Sequence, residues 1–445
     1  MIDIALSGGC IINRQFSQCE DERFLGLVDV LRKADVSFSH LEGTIAGTEE
    51  REVFPAAEAG WTWIRTPAFF ADELKWAGFD IVSHASNHCL DFMYGGLYST
   101  WSSLAAAGIP FAGTGTTLSE ARSPAFLDSG KGRVALISSS SSTPDWARAA
   151  DPGERHAGRP GANQIRTLQA LERADYDAVQ ALARRTGTWI TEVGSQFMTN
   201  PAGLHNTVTR YALAANAAEA GERADRADVE ANLRMIRAAR ETADFVIFHI
   251  HNHEWNPRAD LATPPDFIRT LAHDCIDAGA DIFIAEGAHA LLRGIEVYRG
   301  KPIFYDPGDL FKDGNARTRP LSEYYWVQGR NRETGEDEIT TVESPLHTGL
   351  AKLPVSTNPP GGYNTGKVLG VIVPVCRFDD DGNLLEIRIH PGTHLKDGPE
   401  VMGLPGHATG EGAKALLDYL AELSAPFGTV IEIDGDTGLI RNEPA

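Results

Sequence analysis

The sequence lacks any apolar run longer than a strand, and its opening Met1-Ile2-Asp3-Ile4 carries no basic leader followed by an apolar stretch. Neither export nor membrane spanning is written there, so the expected location is the cytoplasm and no membrane partner is expected. Cysteine is scarce. The five present, Cys10, Cys19, Cys89, Cys275 and Cys376, are an odd number without paired metal-type spacing, which argues against a disulfide framework and a zinc ribbon and fits a reducing compartment. Positive charge is short too: 40 Lys+Arg against 61 Asp+Glu leave a net charge of −21. A phosphate backbone is repelled by such a surface, so nucleic acid is not an expected partner. What remains is an ordinary globular composition, 42% hydrophobic and 23% charged over 445 residues. That length buries a large core without metals or disulfides standing in for packing.

Short β-branched runs alternate with longer amphipathic stretches. Ile2 to Leu6, Val36 to Leu41, Phe79 to Ser83, Val134 to Ser138, Phe245 to His249, Ile282 to Ile284 and Ile303 to Tyr305 read as buried strands. This is an α/β pattern. Thr66-Pro67 and Thr263-Pro264 place a capping hydroxyl before a helix-compatible proline, opening helices that run toward Gly78 and Gly279. Two stretches break the alternation, about 139–223 and about 312–366, and read as insertions. The tail regains order with strands at Leu369 to Val375 and Leu385 to His390, then a helix from about Gly410 to Leu423. With no internal repeat, one elaborated domain over 1–440 is the economical organisation.

Half of the fourteen histidines fall in four windows, each after an expected strand: His40; His84 and His88; His249, His251 and His253; and His289. Loops leaving the carboxyl ends of parallel strands converge on one sheet edge, so distant windows can meet. Phe248-His249-Ile250-His251-Asn252-His253 alternates, which in an extended chain puts its three imidazoles on one face. Ser86-Asn87-His88 with Asp91 offers an amide oxygen, an imidazole and a carboxylate able to orient that imidazole. Glu42 and Glu286 add carboxylates. A mixed nitrogen and oxygen set suits Mn, Fe, Zn or Ni rather than Ca. Gly158-Arg159-Pro160-Gly161-Ala162-Asn163-Gln164-Ile165-Arg166 offers two guanidinium groups that suit a carboxylate or phosphate; an exposed basic loop is the plain alternative.

The order of these windows resembles the CapA family, named for capsule and poly-γ-glutamate synthesis, within the calcineurin-like metallophosphoesterase superfamily. The resemblance spans most of the chain. It rests on His40-Leu41-Glu42, Ser86-Asn87-His88-Cys89-Leu90-Asp91, His251 with Glu254, Gly279-Ala280-Asp281 running to His289, Gly294 to Tyr298, and Gly300-Lys301-Pro302-Ile303-Phe304-Tyr305. Cys376-Arg377-Phe378 and Leu423 to Thr429 agree with it. It implies a metallophosphatase-like sandwich of two sheets flanked by helices, with insertions and a C-terminal extension. It also implies metal ligands at Glu42, Asn87, His251 and His289, with Glu286 in a position where the family has histidine. His88 becomes the acid and Asp91 its orienter. His40, His253, Arg159 and Arg166 are then left for the substrate.

Three places depart from the family pattern. Gly9 in Ser7-Gly8-Gly9-Cys10 stands where relatives carry a ligating aspartate; Glu286 replaces a histidine; and Tyr305-Asp306-Pro307-Gly308-Asp309 replaces a serine, leucine and asparagine pattern. The expectation is one divalent ion per chain, with two as the alternative. The expected activity is hydrolysis of an amide bond, γ-glutamyl or peptide-like, in an acidic small molecule or peptide. Epimerisation by metal-assisted proton transfer, phosphoester hydrolysis, and ligand binding without turnover are the alternatives. Oligomeric state is not legible.

Overall fold

Why ligating residues can gather between sheets is written in strand alternation. Along Phe245–His251, Phe245 and Ile247 face one apolar cluster while Val246, Phe248 and Ile250 face another. Continuing the first face brings His249 and then His251. The same change occurs in Val36–Leu41, where Val36 and Phe38 precede His40, and in Ile282–Glu286, where Ile282 and Ile284 precede Glu286. Each strand is apolar at its start and polar at its carboxyl end on one and the same face.

The computed structural model describes residues 1–47, 50, 52–57, 63–194, 196–200, 209–254, 262–289, 291–312, 317–318, 370–398 and 400–442. The protein is a mixed α/β molecule. In the larger sheet, Ile2–Ile11, Val36–Leu41, Ile81–Ser83 and Phe111–Ala112 run parallel, and Val371–Phe378 joins Ile2–Ile11 antiparallel from the other side. In a second sheet Phe245–His251 lies between Gly132–Ser140 and Ile282–Glu286, all parallel, followed by Lys301–Asp306. One buried cluster draws on both: Ile4, Leu6 and Phe38 from the first, Leu136, Ile247 and Ile284 from the second.

Helices cover the opposite faces. Glu22–Lys33 starts on the Asp21 side chain, which accepts from the amides of Arg23 and Phe24, and buries Phe24, Leu27, Val28 and Leu31 at helical spacing. Those residues share a cluster with Phe70 and Leu74 of Phe70–Ala77. Arg226–Arg240 and Asp266–Asp277 pack Leu233, Ile236, Ile268 and Leu271 against Val246, Phe248 and Phe283. Two helix starts fall later than the prolines predict. Phe70 donates to the Pro67 carbonyl in a preceding turn, and Pro265 is extended (φ −57°, ψ 145°), so the second helix begins at Asp266. Gly78 closes its helix in the left-handed region as expected, at φ 100°.

The stretch expected as a first insertion begins inside the second sheet, since Gly132–Ser140 runs through Ser139. Beyond it, Thr167–Leu171, Trp189–Val193, Gln196–Asn200, Thr209–Leu213 and Gly221–Ala224 form a five-stranded sheet of their own, with the helix Arg173–Thr186. The second insertion lies outside the described residues apart from Lys312, Arg317 and Thr318, as does Leu369, where a strand start was expected. All five cysteines are unpaired. No helix among the described residues is long and apolar enough to cross a membrane.

Candidate metal centre

Every window singled out by histidine content ends at one edge of the two sheets. Cross-strand register places His251 beside Glu286 on one side and Ser140 on the other. In the larger sheet the register slips between Leu6 and Gly9, a bulge that sets Gly9 against His40.

Two groups of side chains bring ligand atoms within 4.8 Å of one another: His40, Glu42, His251 and Glu286, all buried, and Glu42, His253 and His289. Glu42 belongs to both. His251 Nδ1 lies 2.6 Å from Glu286 Oε1, while its Nε2 faces Asn87 Oδ1 at 2.8 Å and His253 Nε2 at 3.1 Å. His253 Nδ1 donates to the Gly287 carbonyl at 2.8 Å, so its Nε2 carries a lone pair. With the His251 proton on Nδ1 toward Glu286, three lone-pair atoms face one another. Burial holds His40, His251 and His253 well below the usual imidazole range, with neighbouring imidazoles adding to the effect. Neutral imidazole is the form that ligates.

The carboxylates tell the same story with the opposite sign. Neither Glu42 oxygen has a hydrogen-bond partner among the described residues, nor has Glu286 Oε2 or His40 Nε2, and all four atoms are buried. Burial, reinforced by Glu42, Asp306 and Asp309, pushes the Glu286 carboxyl well above its usual range. A buried unpaired charge costs several kcal/mol. A divalent cation among two carboxylates and neutral imidazoles removes that cost, so the residues present fit such an ion.

His88 lies beside the groups. Its Nδ1 sits 2.7 Å from Asp91 Oδ2, which also accepts from the Ile64 amide at 2.6 Å, and its Nε2 lies 3.8 Å from Glu42 Oε1. Asp91 thus fixes the ring and turns Nε2 toward the cluster. The strand histidines behave differently from one another. His249 faces Ser138 and Glu286, at 3.0 and 3.2 Å, and burial lowers it to about 3. His253 lies beyond the strand end, so the three imidazoles expected on one strand face divide between strand and loop. His84, lowered to about 4 by burial, has both nitrogens against Thr114 and the Gly43 carbonyl. His40 and His253, expected to serve the substrate, stand inside the two ligand groups.

The arginine loop goes elsewhere. Arg159 donates its Nε to the Arg148 carbonyl at 2.9 Å, and Arg166 is taken up by Asp228 at 2.6 Å and Asp225 at 3.4 Å. Asp228 also pairs with Arg122 and Arg148, each at 2.8 Å. The Arg166 guanidinium therefore completes an internal ion cluster.

Sequence reasoning left Asp306 and Asp309 unplaced. Asp306 clamps the loop, accepting from Ala288 and Gly308 amides at 2.7 and 2.8 Å; burial, offset by Arg293, pushes it up to about 7. Asp309 pairs with Lys312 at 2.7 Å and His289 at 3.2 Å, which hold its carboxyl below the usual range against the effect of burial. It also explains Gly9: a Cβ there would lie 2.9 Å from Asp309 Oδ1 and 3.2 Å from Glu42 Oε2. A carboxylate from another strand end already fills the space that a side chain at position 9 would take. The available signal was position, since Asp309 follows a strand as the other site residues do.

The family model described as bacterial capsule synthesis protein PGA_cap matches residues 3–314. An uncharacterized protein of Sinorhizobium fredii is 31% identical over 443 residues, 98% of this chain and 92% of its own length. A probable polyglutamine synthesis accessory protein of Mycobacterium tuberculosis is 30% identical over 235 residues, 52% of this chain and 44% of that protein. The PGA biosynthesis protein CapA of Bacillus subtilis is 38% identical over 118 residues, 26% of this chain and 30% of its own.

Proposed function

Since the chain belongs to the bacterial capsule synthesis protein PGA_cap family, we propose that it is a metal-dependent hydrolase of an amide bond in an acidic, γ-glutamyl or peptide-like molecule. The observation that carries this reading is the set of four buried ligand atoms on His40, Glu42 and Glu286 that have no hydrogen-bond partner among the described residues, with the His88 ring turned toward them by Asp91. Glutamate-polymer chemistry enters because the names of two relatives refer to polyglutamine synthesis and PGA biosynthesis. The reading treats 1–440 as one functional unit with the two facing sheets of a metallophosphatase-like fold. It places the chain in the cytoplasm on the strength of five unpaired cysteines.

His40, Glu42, His251 and Glu286 would hold the ion, with Asn87, His253 and His289 around it. A divalent cation of the Mn, Fe, Zn or Ni kind supplies Lewis acidity there and neutralises developing negative charge. The chain's own residues do the rest. Asp91 keeps the His88 proton on Nδ1 in the resting state, and His88 Nε2 is the atom that takes the proton from the attacking water and returns it to the leaving amine.

The test is isotopic. Protein reconstituted with each of these metals is incubated with γ-L-glutamyl-L-glutamate in water heavy in both oxygen and hydrogen. One heavy oxygen in half of the released glutamate, the half that carried the cleaved carbonyl, supports hydrolysis. Exchange of the α-hydrogen with the peptide left whole would replace hydrolysis by epimerisation. Turnover confined to phosphate monoesters would move the assignment to a phosphoesterase.

A further inference from the structure

A cavity of about 360 Å³ lies between the loop leaving Gly132–Ser140 and the inserted sheet. Its wall carries Asp145, Gln164, Arg210 and Glu222 among hydroxyl-bearing residues. The wall is continuous with the metal centre. Ser141 donates its amide to the His251 carbonyl at 3.0 Å and its hydroxyl to Glu254 at 2.7 Å, and Thr143 donates to the carbonyl of Ser86, next to Asn87 and His88, at 3.3 Å.

Gln164 is 3% exposed. Its amide nitrogen donates to the Thr143 carbonyl at 2.5 Å and to Asp145 at 3.3 Å, which fixes the amide orientation. Its amide oxygen has no donor among the described residues. A buried acceptor left in that state is costly unless a bound molecule supplies the donor. Glu222 adds a carboxyl group to the same wall, beside Glu254. Arg210 places one nitrogen on Asp145 at 2.9 Å, and a guanidinium carries five N–H donors in all. One wall thus offers an acceptor in need of an N–H donor, a carboxyl group and a guanidinium suited to a carboxylate.

We propose that this cavity holds the α-amino-acid head of the substrate, its ammonium against Gln164 Oε1 and Glu222 and its carboxylate against Arg210. The proposal rests on the hydrolase reading above and gives it a substrate class. An α-amino-acid head keeps ammonium and carboxylate on one carbon. A γ-linked glutamyl peptide presents that head at its amino end, whereas an α-linked dipeptide separates the two groups to opposite ends. A head held through both groups at once is what the γ-linkage supplies and the α-linkage does not.

The experiment is a calorimetric titration of chelator-treated protein with three probes: γ-L-glutamyl-L-glutamate, its N-acetyl derivative, and α-L-glutamyl-L-glutamate. The first binds, and the other two bind about tenfold or more weakly, because each leaves a buried group unmatched. In the protein, Glu222→Gln, Arg210→Met and Gln164→Met each weaken the first probe about tenfold, with thermal melting recorded alongside. Equal binding of the three probes to the unaltered protein overturns the proposal whatever the variants do. Failure to bind by a protein that nonetheless hydrolyses the γ-linked probe when metal is restored overturns the cavity and keeps the hydrolase. Selective binding with no turnover in any metal supports the cavity and overturns the hydrolase reading.

Discussion

Asp228 and Glu42 are both buried carboxylates at the edges of strands and helices, and the molecule surrounds them in opposite ways. Asp228 is met by Arg122, Arg148 and Arg166, all within 2.8 Å. Both Glu42 oxygens lack a hydrogen-bond partner among the described residues, and Glu286 beside it accepts only from histidines, through one of its two oxygens. A carboxylate with cations built around it serves the fold. One buried without them has room in its electrostatics for a cation from outside. Arg166, which the sequence offers as part of an anion grip, belongs to the first kind.

The largest break in this comparison comes from the ligand side. His251→Ala, or a chelator acting on the unaltered protein, removes the ion and with it all turnover, measured by elemental analysis and rate together. His88→Ala keeps the ion and the fold and lowers kcat by roughly 100- to 10,000-fold, with KM little changed, because it removes a proton donor used in the transition state. Retained full turnover in that variant means that another group is the acid. Asp228→Ala leaves three guanidinium groups facing one another and costs about 3 kcal/mol of unfolding free energy, read by denaturant melts, while bound metal stays the same. A loss of metal from that variant would join the two regions that the comparison separates.

Alternation made much of this readable beforehand. Phe38 to His40, Ile247 through His249 to His251, and Ile284 to Glu286 are each two residues apart, so the change from core to ligand along one strand face is local information. The mixed α/β class follows from the same runs. What could not be read depends on contacts across the sheets. Gly9 looks like a lost ligand until the bulge in Ile2–Ile11 and the position of Asp309 are known. Arg166 looks like a substrate grip until the helix Arg226–Arg240 brings Asp228 beneath it. Pro265 delays its helix because the backbone there is extended, which the Thr263-Pro264 pair alone does not reveal.

The smallest effect is one of pH. Burial and the Glu254 charge push the Glu222 carboxyl up to about 8 from an ordinary 4.5. Its folded-state value lies above the unfolded one, so the native protein binds more protons than the unfolded chain within this window. Stability therefore falls as pH rises from about 4.5 toward about 8. Glu222→Gln removes that part of the slope, seen as a flatter dependence of melting temperature on pH than in the unaltered protein. An unchanged slope would mean that Glu222 is solvated in the native state.

The central claim is that Glu42 and Glu286 are buried in readiness for a cation, and Glu42, shared by both ligand groups, tests it most directly. Bound transition metal per chain is measured for the unaltered protein and for Glu42→Gln, each purified without chelator, and both are then melted in the presence of chelator. The account predicts about one ion per chain in the unaltered protein and almost none in the variant, with the variant melting at the higher temperature once metal is gone, because its amide supplies N–H donors to a buried cluster rich in acceptors. An unaltered protein that carries no metal, together with a variant that melts lower in chelator, would contradict it.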